Sequence, residues 1–549
     1  MSSAEAATVP ELLNFFPYTV VNGTSSFNHY GCSVVTSRTV AGTLARIGHV
    51  KRAKQTRRND LAADSHVSDA LPDGDGVVTN YHAFAANSTA HREILCSASS
   101  SNPVTSGSPP PPPPLNEATR VAIVGVGYVG ASLLKEFMRP FPRTIGYDVS
   151  SFRIEQLKSI FDTSYKERSA DITFTSDASQ LEEASYYMIA VPTLLRHEAT
   201  TGTPSDDDKS PPGSTDSYVD LEYVRSAVQT IVRHCRPGSV IVIESSVSVG
   251  TTRMLLAPYG QLIHGGMSPE RVDPGRVTPP TASVPKVVSG LTPVATAAIV
   301  SLYQSCYEHV VPVSSPEVAE MTKLHENCFR MVNIAYANEV ADVCRSLGID
   351  FREVVDAART KPYGFMPFSA GLGVGGHCIP VNPYYLMDSC KKGALPLLER
   401  ATKMMKQRPY RLAKSFHRRV LLEMAKRQRI SVSDVAGRRL PRVLLVGIGF
   451  KPGQSVLSHS PGLAFATALH SIGCEHVSFY DPLVDTDALP DDAVWLQKML
   501  DKEWMSNNMQ DSYDGIAVCM KQHGIDWSSW RSRRKSPGCY IRWFAHERS

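Results

Sequence analysis

No apolar run in the chain approaches the ~20 residues that a membrane-spanning helix needs. The N-terminus lacks a basic segment followed by an apolar core, so a secretory signal is not expected either. Eleven cysteines are scattered without a CxxC pair or zinc-ligand spacing. That pattern fits reduced thiols rather than a disulfide framework, and no metal is assigned. Net charge is only +4 over 549 residues, too little to demand nucleic acid or an anionic membrane as a partner. These absences point to a soluble intracellular protein, read as cytoplasmic. What is present is an ordinary globular balance, 42% hydrophobic and 20% charged, in a chain long enough for several cores.

Residues 1–115 differ from the rest. They mix Ser, Thr, Ala and Asn with short apolar patches and end in six prolines, Pro109 to Pro114, which favour an extended spacer. A basic cluster, Lys51 to Arg58, reads as a solvated run in a disordered tail, or as an anion patch or nuclear address. No chemistry is assigned to this segment.

At Val121 the character changes. Arg120-Val121-Ala122-Ile123-Val124 reads as a buried parallel strand, followed by Gly125-Val126-Gly127-Tyr128-Val129-Gly130 and an amphipathic helix. Between strand and helix this spacing has a mechanism. The first glycine makes the turn, the second lets a pyrophosphate approach, and the third lets helix pack on strand. The helix N-terminus offers its amides to the phosphates. A second strand ends at Asp148, 21 residues beyond Gly127, where a carboxylate can bind ribose hydroxyls and repel a 2′-phosphate. The expected cofactor is therefore NAD rather than NADP. Strands ending at Pro192-Thr193 and at Glu244-Ser245-Ser246 place Thr193 and Ser246 as cofactor or substrate contacts. From His197 to Tyr218 the chain reads as a disordered surface insertion.

The pattern predicts a long helix over Val318–Val343, with an apolar stripe of Met321, Leu324, Cys328, Val332 and Ala335. Lys323, Asn327 and Arg330 form a neighbouring stripe, either a solvated face or a pocket wall. Beyond it lies the most unusual run, from Thr360 to Pro380. Four glycines fall in the seven residues before Cys378, a backbone suited to presenting a thiol at a sharp bend. Cys378 is read as a nucleophile. Leu397–Lys426 reads as a second long helix, a spine between domains, which Pro409 should kink or interrupt. A second strand–glycine unit begins at Arg442, but Pro452 argues against a cofactor helix starting at once. The expectation is a smaller α/β domain rather than a second dinucleotide site.

Six motifs in order now resemble the UDP-glucose/GDP-mannose dehydrogenase family, over residues 119–549. They are Gly125 to Gly130, Val191-Pro192-Thr193, Glu244 to Thr252, Ser268 to Gly275, Lys323 with Asn327, and Gly375-Gly376-His377-Cys378-Ile379-Pro380. His377 and Pro383-Tyr384-Tyr385-Leu386 are most similar to the UDP-N-acetylhexosamine branch. The resemblance implies an α/β fold, with two Rossmann-like domains joined by a long central helical segment. The expected divisions are a tail over 1–115, an NAD-binding domain over 116–310, a central helical domain with the Cys loop over 311–435, and a UDP-sugar-binding domain over 436–549.

It also implies a four-electron oxidation of a nucleotide-sugar C6 hydroxyl with two NAD, through a thiohemiacetal and then a thioester on Cys378. Lys323 would stabilise the alkoxide and oxyanion, Asn327 would donate to the same oxygen, and Glu270 would organise the water. Tyr128, Val129 and Arg153 join the three glycines, Asp148, Thr193 and Ser246 as implied cofactor contacts. A homodimer or higher homo-oligomer through the central helix is expected, with a nucleotide sugar as substrate. Two positions depart from the family. Asn382 replaces an Asp that helps order catalytic water, and Ser458 replaces an Arg that reaches a neighbouring subunit's substrate. The expectation is a UDP-N-acetylhexosamine 6-dehydrogenase. UDP-glucose or GDP-mannose 6-dehydrogenase is the alternative within the enzyme class, and a nucleotide-sugar-binding pseudoenzyme the alternative outside it.

Overall fold

The structure is a computed structural model, and it describes residues 108–164, 172–195, 219–271, 278–499, 512–528 and 539–544. The basic cluster, the Asp-rich insertion and most of the tail lie outside the described residues.

Two parallel-rich sheets organise the described residues. The strands of the first are β1 (Val121–Val124), β2 (Ile145–Tyr147), β3 (Thr173–Thr175), β4 (Tyr186–Ile189), β7 (Val240–Ile243), β8 (His264–Met267), β9 (Lys286–Gly290) and β10 (Val310–Pro312). A short antiparallel pair, β5 (Leu194–Leu195) and β6 (Val219–Asp220), stands apart. The first sheet runs β10-β9-β8-β7-β4-β1-β2-β3, with β8 and β9 antiparallel and the other pairs parallel. Period-two alternation sorts the side chains. Val121 and Ile123 enter one core while Ala122 and Val124 enter the core on the opposite face. Burial on both faces explains the unbroken apolar strands. Chain order reverses between β1 and β4, which opens a crevice at their C-terminal ends.

The prolines are not a free spacer. Tyr186 donates its hydroxyl to the Pro113 carbonyl, and His264 Nε2 donates to the Pro110 carbonyl at 2.7 Å. Leu115 packs against the core that contains Val121 and Phe137. A polyproline segment leaves its carbonyls unbonded within itself, so nearby donors can hold it. Residues 109–115 thus belong with the first sheet, on the far side of the boundary expected at 115.

The central helix spans Pro316–Leu347, with Ser315 as N-cap, Pro316 at its first position and Gly348 as a left-handed C-cap. Its buried face includes Lys323 and Asn327 beside Leu324, Cys328, Met331 and Ala335. Met321, expected in the core stripe, is 42% exposed, because the buried face lies to one side of the stripe drawn through it. The second long helix, Pro396–Gln428, continues through Pro409 without a break. Pro409 is buried, and its ring faces Gly373 of the cysteine loop. The missing N–H is thus set against tertiary packing that keeps the helix running. This helix does act as a spine. Leu398, Ala401 and Met405 pack with the central helix, whereas Leu412, Phe416, Val420 and Met424 enter the third core. That core therefore reaches back well before the boundary expected at 435.

The second sheet is built from β11 (Arg442–Val446), β12 (His476–Tyr480), β13 (Gln497–Lys498), β14 (Gly515–Val518) and β15 (Tyr540–Trp543), ordered β13-β12-β11-β14-β15 and parallel throughout. No helix follows its glycines directly; the next one is Pro461–Ser471.

Candidate active site

The loop after β1 shows what its three glycines permit. Gly125 has φ +86°, in the left-handed region. A Cβ on Gly130 would lie 1.9 Å from the Gly125 carbonyl oxygen, so helix and turn close on each other only with glycine there. Gly127 is exposed and faces open space within 4 Å, which leaves room for a pyrophosphate at the start of the helix Tyr128–Phe137. Tyr128 and Val129 are half-buried in the first turn of that helix. Asp148 stands half-buried at the end of β2. One of its oxygens accepts from the Val126 N–H at 3.1 Å, the other from the Ser150 N–H at 3.0 Å. Arg153 Nε donates to the Val126 carbonyl at 2.9 Å, across the glycine loop. Thr193 donates to the Ser246 carbonyl at 2.9 Å, tying together the ends of β4 and β7.

The cysteine loop is braced from the other side. A Cβ on Gly375 or Gly376 would meet Phe450 at 2.8 Å, and Gly376 has φ +91°. The Gly376 N–H donates to the Ser458 carbonyl at 3.0 Å, while Ser458 Oγ lies 3.1 Å from His377 Nδ1 and 3.2 Å from His459 Nδ1. Ser458, where the resemblance would expect an Arg, is thus bonded within its own chain. Cys378 itself is half-buried, and its carbonyl accepts from the Asn382 N–H at 2.9 Å, at the start of the helix Asn382–Asp388.

Lys323 is buried and interacts electrostatically with Cys378, Glu270, Glu326 and Arg330. Burial is the largest influence and holds its ammonium below the ordinary lysine range, while Cys378 and the two carboxylates oppose that shift. Asn327 donates its side-chain N–H to the Asn382 side-chain carbonyl, and Arg330 donates to Asn327 Oδ1. The amide expected to bind a substrate oxygen is therefore joined to Asn382. Glu270 accepts from the Arg271 N–H at 2.7 Å and from Lys286 Nζ at 3.0 Å. Lys323 and Asn327 are buried, so this part of the polar stripe is not a solvated face.

Residues 119–308 match the model of the NAD-binding domain of the UDP-glucose/GDP-mannose dehydrogenase family, and residues 317–406 match that of its central domain. UDP-N-acetyl-D-glucosamine 6-dehydrogenase of Pseudomonas aeruginosa is 31% identical over 393 residues, 67% of this chain and 84% of the relative. The chain belongs to the UDP-glucose/GDP-mannose dehydrogenase family. UDP-N-acetyl-D-mannosamine dehydrogenase of Pyrococcus horikoshii is 27% identical over 66% of this chain and 84% of that relative. The fold matches a solved UDP-D-ManNAc dehydrogenase from the same archaeon with a TM-score of 0.61 at 23% identity, covering 78% of this chain and 99% of that one. A UDP-glucose dehydrogenase of Pyrobaculum islandicum matches with the same TM-score, over 81% of this chain and 96% of that one.

This member of the family is an NAD-dependent nucleotide-sugar dehydrogenase, and the open cradle at Gly127 fits the cofactor. Some of its buried groups escaped the sequence reading. Glu320 accepts from the Gly250 N–H at 2.6 Å and the Thr252 N–H at 2.8 Å, anchoring the loop after β7 on the central helix. Lys286 and Tyr303 bond Glu244 from β9 and from the helix Pro293–Gln304. A lysine opening the apolar strand Lys286–Gly290 was the available signal, since buried lysines occur almost only with partners.

Proposed function

We propose that the enzyme oxidises the C6 hydroxyl of a UDP-N-acetylhexosamine to the uronate through covalent attachment to Cys378. One observation carries this reading: the buried Lys323 ammonium interacts electrostatically with both the Cys378 thiol and the Glu270 carboxylate. Gly125, Gly127, Gly130, Asp148, Arg153, Thr193 and Ser246 would hold NAD, which when bound would supply the two-electron acceptor for each oxidation.

Lys323 stabilises the sugar oxygen as it loses its proton, and a buried cation does this with little reorganisation. The Cys378 thiolate then adds to the C6 aldehyde, forming a C–S bond, while Lys323 holds the oxyanion of the resulting thiohemiacetal. The second oxidation leaves a thioester. Glu270 orients the water that attacks its carbonyl carbon, and the C–S bond breaks to release uronate and thiol. Asn382 accepts a hydrogen bond from Asn327 but, as an amide, takes no proton from water, so hydrolysis carries the burden of that substitution.

The names of the relatives support an N-acetylhexosamine as the sugar. An exposed row on the central helix, Phe329, Tyr336, Val343 and Leu347, supports a homodimer formed there. Cys235, Cys306, Cys328, Cys344, Cys378, Cys390, Cys474 and Cys519 lie outside any disulfide, which supports a reducing cytoplasm. Among the described residues no helix is long and apolar enough to cross a membrane.

NADH release and uronate formation from a panel of UDP-N-acetylglucosamine, UDP-N-acetylgalactosamine, UDP-glucose and GDP-mannose test the reading. The N-acetylhexosamines should turn over best. Preference for UDP-glucose or GDP-mannose would move the substrate, and NAD binding with no oxidation of any sugar would favour a pseudoenzyme.

A further inference from the structure

Behind the proposed water-organising carboxylate lies a buried ion cluster. Lys286 opens β9 with only 2% of its surface exposed. Its Nζ donates to Glu244 Oε2 at 2.6 Å and to Glu270 Oε2 at 3.0 Å. Glu244, at the end of β7, accepts a second bond from the Tyr303 hydroxyl. The ammonium also lies 5.6 Å and 5.5 Å from the ring centroids of Tyr303 and Tyr307. Further out, Glu136 on the helix after β1 interacts with Glu270 and is itself offset by Arg139. Lys323 also interacts electrostatically with Glu270, and Arg271 is paired with Glu326 at 2.6 Å.

One ammonium thus serves two carboxylates. Burial is the largest influence on Glu244 and pushes its carboxyl up to about 7, with Lys286 opposing. Burial pulls Lys286 down, but the two carboxylates outweigh it and hold its ammonium above the ordinary lysine value. The cation is therefore permanent, and what varies is how Glu244 and Glu270 share it.

We propose that Lys286 is a positioning residue for hydrolysis. It fixes the Glu270 carboxylate from behind in the orientation and charge state needed to hold the attacking water, and Glu244 with Tyr303 sets how strongly it does so. The inference rests on the reading of Glu270 given above. The Arg271 N–H engages one Glu270 oxygen and the Lys286 ammonium the other, so loss of Lys286 removes a cation that both orients the carboxylate and favours its charged form.

The test is the pH profile of steady-state uronate formation in three variants of the full-length enzyme. Lys286→Met should lower kcat on the order of 10–100-fold, the scale of a catalytic group displaced by about an ångström. KM for the sugar and NAD should stay within about three-fold of wild type, since neither is held by Lys286. The acid limb of its kcat profile should move to higher pH. Glu244→Gln leaves Lys286 to Glu270 alone, so the acid limb should move the other way, to lower pH. Lys286→Arg keeps the cation and should restore the wild-type limb. A folded Lys286→Met with an unmoved limb would overturn the proposal, as would both variants moving it in one direction. If Lys286→Met fails to fold, the direction of the shift in Glu244→Gln decides. A wild type that makes no uronate from any nucleotide sugar would instead overturn the function reading, and this inference with it.

Discussion

β1 and β11 each lead into a Gly-x-Gly run, at Gly125–Gly127 and Gly447–Gly449, and each pairs with a strand ending in an aspartate. Gly125 and Gly447 are both left-handed, at φ +86° and +73°, so the turns start alike. They then diverge. Space around Gly127 is open, whereas a Cβ on Gly449 would lie 2.7 Å from the Gln454 carbonyl oxygen and 3.3 Å from Gln522 Nε2. Asp148 is half-buried at its strand end, whereas Asp481 is fully buried. Asp481 accepts from the N–H groups of Ile448, Gly449 and Leu483 at 2.9, 3.2 and 3.0 Å, and from Gln522 at 3.3 Å. The second unit has filled with its own side chains the space that the first keeps for a ligand. A glycine spacing after a strand fixes a turn. A binding site additionally needs a helix starting at once and a carboxylate that stays partly exposed.

The two units also divide the labour around Cys378. The first sheet and the central helix supply Glu270 and Lys323, while Phe450 and Ser458 of the second unit brace the glycines before the thiol. If that division is right, the largest effect short of removing the thiol itself should come at Lys323, where the charge is concentrated. Lys323→Met should lower uronate formation by ~10²–10³-fold, the usual scale for losing an oxyanion partner. Its stability should not fall. Burial holds the folded-state Lys323 below its unfolded value, so folding expels a proton between those two pKa values. The buried charge therefore opposes folding most strongly below the folded-state pKa, and this cost is relieved as pH rises towards the unfolded value near 10.5. Thermal melts at neutral pH should show Lys323→Met at least as stable as wild type, with the gap narrowing as pH rises. A clear loss of stability would contradict the buried-charge account.

The paired aspartates sharpen the comparison directly. Asp148→Asn should weaken NAD by ~10–100-fold, the range of a hydrogen bond to a charged group, and erode discrimination against NADP, with little change in melting. Asp481→Asn should leave NAD affinity intact and cost about 1–3 kcal/mol of stability, because buried N–H donors lose a charged acceptor. Calorimetry and chemical denaturation measure both. Loss of NAD binding in the Asp481 variant would break the distinction.

The smallest effect concerns the proline segment. Removing residues 1–107 should leave NAD binding and denaturation unchanged, since no described contact is lost. Extending the deletion through 115 removes the carbonyl partners of Tyr186 and His264 and the packing of Leu115. That should cost about 1–3 kcal/mol, read as a lower denaturation midpoint. Identical midpoints for the two truncations would show the segment to be a spacer after all.

Much of this fold was legible because it rests on local signals. Strand, glycine spacing and helix lie within thirty residues from Val121 to Asp148, and each side chain there acts on its own neighbourhood. The candidate thiol was legible through four glycines crowded before it. Less legible was anything decided by a distant partner. Pro409 reads as a break until the buried environment around Gly373 is known. Six prolines read as a spacer until Tyr186 and His264 supply donors. Met321 fits a helical stripe, yet the partner surface lies along Lys323 and Asn327. Lys286 signals burial by opening an apolar strand, but its partners are not legible, because the two carboxylates arrive from Glu244 and Glu270, on other strands and loops.

The most direct test of the account is intact-mass analysis of the enzyme quenched during turnover with NAD and its best nucleotide sugar. With Asn382 slowing hydrolysis, the wild type should show a burst of NADH and a mass increase of one sugar-nucleotide acyl group, mapped by digestion to Cys378. Asn382→Asp should shrink the burst and the adduct together, and Cys378→Ser should show neither adduct nor uronate while still binding substrate. Full uronate production by Cys378→Ser would contradict the central claim that this thiol carries the second oxidation.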